Sequence, residues 1–358
     1  MTHDIAIIGA GIAGASLAAA IGDRARVLLL EAEDQPGYHA TGRSAAFWSE
    51  TYGGPGIQPL TTASGAMLRD GGYLDPLGAL HIGRGEDAAA VDALLAEFAD
   101  TPVALSTVDP QPLVPGLRRE WTLGVSEPTC AYIDVARLHG DYLAQARRAG
   151  AVLVAGARLA TAERGAAGWR LVTADGRVFG ASVLVNAAGA WADEVAACAG
   201  AAPLGIRPYR RTMVQLLTEP AAPASLPFVI DISGGFYFKP EAGGRLWLSP
   251  HDEHPVQPHD VAAEELDVAI AIDRLQHAVD WRIVRVERRW AGLRSFAPDR
   301  QPVYGMADNG FFWFAGQGGF GIQTAPAAAL IGAALLTGAA MPEGVDADRY
   351  VPSRFAAP

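Results

Sequence analysis

The stretch that decides the fold is Asp4–Ser16, which reads DIAIIGAGIAGAS. An apolar run rich in isoleucine ends here in the pattern Gly-x-Gly-x-x-Gly, and small residues typical of a closely packed helix follow. A second apolar run, Val27–Leu30, then ends in Glu31. This order of strand, glycine turn, helix, strand and acidic residue predicts a dinucleotide-binding site.

Each residue of this pattern has a physical role in such a site. Gly9 permits the tight turn, Gly11 lets the backbone approach a pyrophosphate, and Gly14 lets helix and strand pack closely. The N-terminus of the helix offers free N–H groups and the positive end of its dipole to the phosphates. Glu31 can accept hydrogen bonds from ribose hydroxyls. The glycines do not distinguish NAD from FAD.

The composition narrows the class of protein. The chain has 358 residues, which predicts two lobes, and 50% of them are hydrophobic, enough for a sizeable core. The formal net charge of -11 argues against nonspecific binding to nucleic acid, which needs a basic surface. Cys130 and Cys198 suggest neither a disulfide framework nor a metal site. Because no signal peptide or membrane-spanning run is visible, we expect a cytoplasmic protein.

Helices and strands are predicted to alternate along the rest of the chain. Asp34–Gly42 predicts a loop that leads into a helix with Ser44 in its first turn, and Asp134 predicts the N-cap of a helix that ends at Gly150. Further elements are expected as a helix at Ala88–Phe98, a β-meander of Val152–Val154, Trp169–Thr173 and Val183–Val185, strands at Met213–Leu217, Phe236–Lys239 and Leu246–Leu248, and a helix at Val261–His277. Residues 203–290 thus predict a second, antiparallel lobe.

Two more strand-to-helix turns consist of small residues. Asn186–Trp191 reads NAAGAW and follows an apolar strand. The aromatic strand Gly310–Ala315 runs into the glycine-rich Gly316–Gly321 and a helix expected at Ile322–Leu336. Small side chains at such turns let a ligand or another backbone come close.

Together these motifs resemble one family, the FAD-dependent D-amino-acid oxidoreductases, which include D-amino-acid and glycine oxidases. The segments that carry the resemblance are the N-terminal site, Thr41–Ala46, Asn186–Trp191, Ala291–Ser295 and Gln317–Thr324. Within the family the likeness is greatest to the bacterial D-arginine dehydrogenases. The resemblance implies non-covalent FAD and an α/β fold in which a Rossmann-like FAD-binding domain is interleaved with an α+β substrate domain carrying an antiparallel sheet. It implies that 1–76, 130–203 and 291–358 form the FAD-binding domain, and 77–129 and 204–290 the substrate domain.

The resemblance also implies which residues contact the cofactor. The ADP part would lie at the N-terminal turn, the pyrophosphate and flavin along the Arg43 segment, and the pyrimidine end of the flavin at the third glycine turn. The residues concerned are Gly9, Gly11, Ile12, Ala13, Gly14, Glu31, Arg43, Ser44, Ala45, Ala46, Ala188, Gly189, Trp191, Gly318, Gly319, Phe320, Gly321, Ile322, Gln323 and Thr324. A helix N-terminus after the third turn would stabilise negative charge on the reduced ring.

Four residues are implied on the substrate side. Arg294 matches the family arginine that binds the substrate carboxylate, and a planar guanidinium can do so with two parallel hydrogen bonds. Tyr237 matches a tyrosine beside the same carboxylate, Arg211 a second arginine, and Tyr52 a tyrosine that closes over the site. Because side chains alternate along a strand, only one of Arg210 and Arg211 is expected to point inward.

Two positions depart from the D-arginine dehydrogenase pattern. Phe47 stands where that group has a histidine, and Ala79 stands where it has the acid that holds a cationic side chain. A buried guanidinium without a partner would cost several kcal/mol. We therefore expect a D-amino acid with a neutral or apolar side chain to be a better substrate than D-arginine or D-lysine.

The expected reaction is oxidation of an amino acid to the imino acid, and then to the 2-oxo acid, with hydride transfer to flavin N5. Alternatives are an FAD-dependent 2-hydroxy-acid dehydrogenase, a glycine or secondary-amine oxidase of the same family, and a flavin-binding protein without turnover. The electron acceptor, a quinone, a dye-like acceptor or oxygen, stays open, and any membrane association would be peripheral and through that acceptor. Neither stereochemistry nor oligomeric state follows from the sequence.

No metal is expected. Acidic and imidazole side chains do cluster in one loop, at His251, Asp252, Glu253, His254, His259 and Asp260. Their spacing fits no ligand pattern well, and the segment contains proline, so a solvated loop is predicted there.

Overall fold

The computed structural model describes residues 2–307 and 310–355. Its strands are β1 (Thr2–Ile8), β2 (Val27–Leu30), β3 (Phe47–Trp48), β4 (Leu74–Pro76), β5 (Ala79–Arg84), β6 (Ser106–Thr107), β7 (Trp121–Glu127), β8 (Ala131–Ile133), β9 (Val152–Val154), β10 (Leu159–Gly165), β11 (Gly168–Thr173), β12 (Val178–Asn186), β13 (Arg207–Glu219), β14 (Phe228–Asp231), β15 (Tyr237–Glu241), β16 (Arg245–Ser249), β17 (His254–Pro255), β18 (Arg282–Phe296), β19 (Val303–Met306), β20 (Phe311–Ala315) and β21 (Gln317–Gly318). Its α-helices are α1 (Ile12–Ile21), α2 (Gln58–Asp70), α3 (Ala88–Glu97), α4 (Val135–Arg148), α5 (Ala192–Cys198), α6 (Glu265–Ala278) and α7 (Ala325–Thr337).

The first sheet is built around β1, which lies between β2 and β12 with all three strands parallel. β9 continues the parallel order beyond β2, and β20 continues it beyond β12. All four residues of β2 are buried, as expected for a parallel sheet that is covered on both faces. One of these faces packs against α1 and α7 through Ile7, Leu17 and Ile331. The strand, turn and helix at the N-terminus thus form the Rossmann-like core that the glycine pattern predicts.

The second sheet is largely antiparallel and runs in the order β21, β18, β13, β16, β15, β14, β5, β7 and β6. Its longest pairing joins β13 to β18, and among its described strands only β14 and β5 are parallel neighbours. Leu216, Phe238 and Leu248 pack with Leu275 of α6 on one face, which buries that side. The opposite face of β13, β15 and β18 is therefore left to border the first sheet and its ligand cleft.

These two sheets confirm the predicted fold class, α/β with a Rossmann-like part and an α+β part that carries an antiparallel sheet. The strands of the first sheet all come from within 1–76, 130–203 and 291–358. β18 continues across the expected boundary at residues 290 and 291, and β21 joins the second sheet from the C-terminal segment. The division into domains stays a prediction.

Four local predictions were wrong, and one of them is the helix predicted at Val261–His277, which begins at Glu265. Ser44 lies in no helix, because its Oγ accepts a hydrogen bond from Ala46 N at 3.1 Å, and such a local turn competes with helix formation. Val152–Val154 pairs with β2, and the meander instead begins with β10, whose largely exposed sequence gave no apolar signal. α7 starts at Ala325 instead of Ile322, with a proline in its first turn, where helices tolerate it.

Asp134 caps α4 as predicted, since its carboxylate accepts a hydrogen bond from Arg137 N at 3.0 Å. Cys130 and Cys198 are free thiols. Within residues 2–307 and 310–355, every helix is too short or too polar to cross a membrane.

Candidate active site

The dinucleotide turn, Gly9–Gly14, joins β1 to α1 and is tightly packed against its own backbone. A Cβ atom at Gly14 would lie 1.9 Å from the carbonyl oxygen of Gly9, whose φ of +99° is itself in the region that favours glycine. Glu31 follows β2, and its Oε2 accepts a hydrogen bond from Ala10 N at 2.8 Å. The turn therefore brings the backbone amides at the start of α1 beside an acidic side chain, as a dinucleotide site requires.

Two residues that the sequence did not single out support this turn. Thr41 Oγ1 accepts a hydrogen bond from Ile12 N at 3.0 Å, and His139 Nε2 donates to Ala10 O at 2.8 Å. Burial lowers the pKa of His139, which favours its neutral form beside the turn. Thr41 begins the Thr41–Ala46 segment but was given no role of its own, and neither contact is local, because Thr41 lies 29 residues and His139 129 residues from its partner.

A single cleft extends from the dinucleotide turn to the second sheet. The residues implied by the resemblance that line it are Gly9, Gly11, Ile12, Ala13, Glu31, Arg43, Ser44, Ala45, Ala46, Tyr52, Ala188, Gly189, Trp191, Arg211, Tyr237, Arg294, Gly318, Gly319, Gly321, Ile322 and Gln323. Three others lie behind this wall. Gly14 packs against Gly9, the Phe320 ring packs on Tyr52, and Thr324 Oγ1 donates to Phe320 O at 2.9 Å.

The Arg43 guanidinium is bound largely by protein groups. Its Nη2 donates to Asp260 Oδ1 at 2.5 Å and its Nη1 to Val261 O at 3.0 Å. The same Nη1 lies 3.4 Å from Ala291 O. Arg43 thus links the segment that follows the first βαβ unit to the second sheet, in addition to lining the cleft.

At the third glycine turn, Gly319 lies directly against the substrate-side residues. A Cβ atom there would lie 2.4 Å from Tyr52 Oη and 2.5 Å from both Nε and Nη2 of Arg294. No side chain fits in this space. The glycine therefore permits the turn between β21 and α7 to approach the Arg294 guanidinium.

Arg211 and Arg294, here called the arginine pair, lie on one face of neighbouring strands β13 and β18. Arg294 donates through Nη2 to Tyr52 Oη at 2.7 Å and through Nη1 to Glu253 Oε1 at 2.8 Å. Arg211 donates through Nε to Asp252 O at 2.8 Å. Within the described part of the chain, Arg294 Nε and Arg211 Nη1 are buried and have no acceptor. Both arginines line the cleft, so an anion that enters it would meet two guanidinium groups that keep N–H donors without an acceptor in that part of the protein.

Tyr237 and His251 complete this region. The Tyr237 hydroxyl lies 3.3 Å from Met213 Sδ, and the Arg211 guanidinium lies 5.9 Å from the Tyr237 ring. The His251 ring packs edge-on against Tyr237 with 5.6 Å between ring centroids. Burial, together with the charges of the arginine pair, lowers the pKa of His251 to about 4, so that its imidazole is neutral at pH 7.

Arg210 points to the opposite face of β13, as the alternation predicts, and is bound to Asp267 at 2.7 Å and to Glu264. Asp252, His254 and Asp267 lie within 4.8 Å of one another, a spacing that a metal ion could use. The Arg210 guanidinium already supplies positive charge to this cluster. The prediction of a solvated loop was wrong for Asp252, whose side chain is only 4% exposed and accepts hydrogen bonds from Thr212.

The wall beside the arginine pair is apolar. Phe47 packs against Phe228 with 4.3 Å between ring centroids and against Tyr52 with 5.0 Å. Ala79 and Met213 are buried in the same cluster. Because these side chains offer no charged acceptor, this part of the site suits an uncharged group.

A buried acid does lie near this wall, but its hydrogen bonds are already used. Glu127 pairs across the strands with Ala79 and is fully buried. Its carboxylate accepts hydrogen bonds from Ser49 Oγ at 2.9 Å, from the backbone N–H of Glu50 at 2.6 Å and from Thr51 Oγ1 at 2.6 Å. Glu127 is not among the residues that line the cleft. It instead anchors the segment that carries Tyr52.

The fold and the cleft together define a class of flavoenzyme, and comparison with known proteins identifies it. The family model described as FAD dependent oxidoreductase (DAO) matches residues 4–335, and the chain belongs to this family. Its cofactor is therefore FAD, and the protein is an enzyme of the FAD-dependent oxidoreductase family.

The cleft fits this cofactor. It runs without interruption from the dinucleotide turn and Glu31 to the third glycine turn. Among the described residues, the backbone N–H groups of Gly11 and Ala13 have no protein acceptor, which leaves them for phosphate oxygens.

Solved structures share the whole fold. L-proline dehydrogenase from P. horikoshii is 22% identical with a TM-score of 0.86, covering 99% of this chain and 98% of the other. Glycine oxidase from Geobacillus kaustophilus is 23% identical with a TM-score of 0.84, covering 99% of both chains. Iminodiacetate oxidase from Chelativorans sp. BNC1 is 22% identical with a TM-score of 0.78, covering 97% and 98%. At this level of identity the likeness shows the fold alone.

A curated relative matches part of the chain. FAD-dependent oxidoreductase domain-containing protein 1 from Xenopus laevis is 27% identical over 165 residues, which is 41% of this chain. The match spans about a third of that relative, 33% of its length.

Proposed function

We propose that this enzyme oxidises a small D-amino acid with a neutral or apolar side chain to the imino acid, which water hydrolyses to the 2-oxo acid. The observation that carries the proposal is that two arginines, Arg294 and Arg211, line the cleft that fits FAD and keep N–H donors without a protein acceptor within residues 2–307 and 310–355. A carboxylate is the anion that such planar donors bind best among small metabolites, because it accepts parallel hydrogen bonds.

The protein's main task in this reaction is to position the substrate. Arg294 and Arg211 would hold the carboxylate, and the Tyr52 hydroxyl keeps the Arg294 guanidinium in place. FAD, when bound, accepts a hydride from the carbon that carries the amino group. The amine must lose a proton for the imine to form, and we assign that proton to water, since Phe47 offers no acceptor where related enzymes have a histidine.

The apolar wall supports the proposed side chain. Phe47 and Met213, which line the cleft, would pack against an aliphatic or aromatic group, and Phe228 supports Phe47 from behind. A guanidinium or ammonium placed there would leave water without gaining a partner, because Glu127 is already bound to residues 49–51. Burial of such a charge costs several kcal/mol. The D configuration is supported by the sequence resemblance alone.

The proposal is tested by mixing the holoenzyme anaerobically with single substrates and following loss of flavin absorbance. D-leucine and D-phenylalanine are expected to reduce the flavin faster than D-arginine, and their L enantiomers and D-lactate to reduce it slowly or not at all. A strong preference for D-arginine would contradict the side-chain assignment. Reduction only by glycine, L-proline or iminodiacetate would replace the D-amino acid with a glycine or secondary amine. Admission of oxygen afterwards distinguishes an oxidase from a dehydrogenase that uses a quinone or dye-like acceptor.

A further inference from the structure

Glu253 lies where three guanidinium groups meet at the edge of the arginine pair. Its Oε1 accepts hydrogen bonds from Arg294 Nη1 at 2.8 Å and from Arg211 Nη2 at 3.3 Å. Both of its carboxylate oxygens also accept from Arg300 Nη2 at 2.9 Å. The Arg294 side chain is 11% exposed and that of Arg300 is 49% exposed. Glu253 therefore stands between the buried pair and solvent.

The position of Glu253 is set by the residues before it. The Asp252 carboxylate accepts hydrogen bonds from Thr212 N at 2.7 Å and from Thr212 Oγ1 at 2.9 Å. The Asp252 carbonyl accepts from Arg211 Nε. His251 adopts a left-handed backbone conformation with φ of +57°, which turns the chain toward the arginines. The Glu253 carboxylate is thus held against the arginine pair by its own backbone.

The arginine pair keeps net positive charge and N–H donors that a bound anion could use. Arg211 and Arg294 carry two positive charges, and Glu253 supplies one negative charge in direct contact, which it shares with the half-exposed Arg300. Asp252 lies 3.9 Å from Arg211 and equally far from Arg210, so its charge is shared with the opposite face of β13. One nitrogen on each arginine, Arg294 Nε and Arg211 Nη1, has no acceptor among the described residues, so the pair keeps donors for a further carboxylate.

We propose that Glu253 determines substrate specificity by restricting the arginine pair to one carboxylate. A second carboxylate at the same end of a substrate would lie beside Glu253, where like charges repel, and would compete with Glu253 for Arg294 Nη1 and Arg211 Nη2. This inference rests on the carboxylate site proposed above. It adds to that proposal, because it assigns to Glu253 the rejection of substrates that carry two carboxylates close together.

The test measures binding of two anions to the holoenzyme by the change each causes in the flavin absorbance spectrum. Propionate carries one carboxylate, and malonate carries two on a skeleton of similar size. The wild-type protein is expected to bind propionate more tightly than malonate. Glu253→Ala frees Arg294 Nη1 and Arg211 Nη2, and is expected to raise the affinity for malonate relative to propionate at least tenfold. Glu253→Gln removes the charge with little change of shape and should shift the ratio in the same direction.

Glu264→Gln is the matched control, because Glu264 binds Arg210 on the opposite face of β13 and is 62% exposed. It should leave the ratio at the wild-type value. If propionate binds but neither Glu253 variant changes the ratio, the role of Glu253 is overturned and the carboxylate site survives. If neither anion binds the wild-type protein, the carboxylate site and the role of Glu253 fail together. Two variants of different size keep the test decisive if one of them loses its flavin.

Discussion

The dinucleotide turn and the arginine pair line the same cleft, yet they are built in different ways. The turn is one short stretch of chain, and its acidic partner Glu31 lies 21 residues away from the amide that it binds. The arginine pair depends on contacts between distant segments, such as the hydrogen bond from Arg294 to Tyr52, which are 242 residues apart. The dinucleotide turn depends on local backbone geometry, whereas the arginine pair depends on the register of the sheet.

The difference shows where each function is encoded. At the turn, small residues are needed because backbone atoms approach one another, and the side chains contribute little. In the second sheet, the pairing of β13 with β18 places Arg211 opposite Gly292 and Arg294 opposite Tyr209, so both arginines project from one face. We therefore expect substitutions at the pair to change chemistry and substitutions at the turn to change cofactor binding and stability.

The largest effect is expected for Arg294→Lys. A lysine keeps the charge but not the planar fork, and it cannot contact Tyr52, Glu253 and a carboxylate together. We expect kcat/KM for the best amino-acid substrate to fall about 10³-fold, equivalent to about 4 kcal/mol. Steady-state kinetics with the purified holoenzyme measures this, and the FAD content should stay at the wild-type level.

Arg289→Lys provides the matched control for that variant. Arg289 lies on the same strand, β18, but its side chain is 48% exposed and binds Glu265. Its replacement should leave kcat/KM unchanged. A similar loss of activity in both variants would mean that the substitutions disturb β18 as a whole, and would contradict a specific role of Arg294 in substrate binding.

The turn is tested by Gly14→Ala. The added methyl group would overlap the Gly9 carbonyl oxygen at 1.9 Å, so the backbone of the turn must shift. We expect a loss of about 3 kcal/mol in the free energy of unfolding and loss of bound FAD. Urea unfolding and the ratio of flavin to protein absorbance measure both.

Gly140→Ala separates a local clash from a general effect of alanine. Gly140 lies within α4. Apart from its chain neighbours and the backbone of its own helix, no described atom lies within 4 Å of an added Cβ. Because alanine favours the helix over glycine, this variant should gain about 0.5–1 kcal/mol and keep its FAD. Normal FAD binding by Gly14→Ala would contradict the expectation that substitutions at the dinucleotide turn change cofactor binding.

Much of the fold could be predicted because its signals are local. The apolar runs of β1, β2 and β20, the cap at Asp134 and the glycine turns all depend on neighbours within a few residues. The weakly apolar strand β10 was missed for the same reason, since only its pairing with β11 makes it a strand. The prediction that the cofactor is FAD, and the choice of the substrate-side residues, came from resemblance to a family and not from the hydrophobic periodicity.

The part of the site that could not be predicted lies in the loop after β16. Asp252 and Glu253 appeared as charged residues in a solvated segment, because the sequence does not show that three arginines converge there. Thr41, His139 and Glu127 were missed in the same way, as each acts on a segment that is distant in the chain. Long-range partners of this kind need the register of the sheets, which a single sequence does not contain.

The smallest expected effect concerns His251, which lies against the arginine pair. Its ring Nδ1 donates to Gly234 O at 2.9 Å, and its pKa is lowered from 6.5 to about 4 by burial and by the charges of Arg211 and Arg294. The unfolded chain therefore binds a proton that the folded protein does not between about pH 6.5 and 4. Stability from the neutral imidazole is present above pH 6.5 and is lost as the pH falls through this range.

His251→Asn tests this linkage, because asparagine tolerates the positive φ of +57° at this position. Between pH 7 and pH 5 the wild-type protein should lose about 2 kcal/mol through this residue, and the variant should lose correspondingly less over the same interval. Urea unfolding of both proteins at the two pH values measures the difference. An equal decrease in both would show that the imidazole can be protonated in place, and the arginine pair would then tolerate a third positive charge beside it.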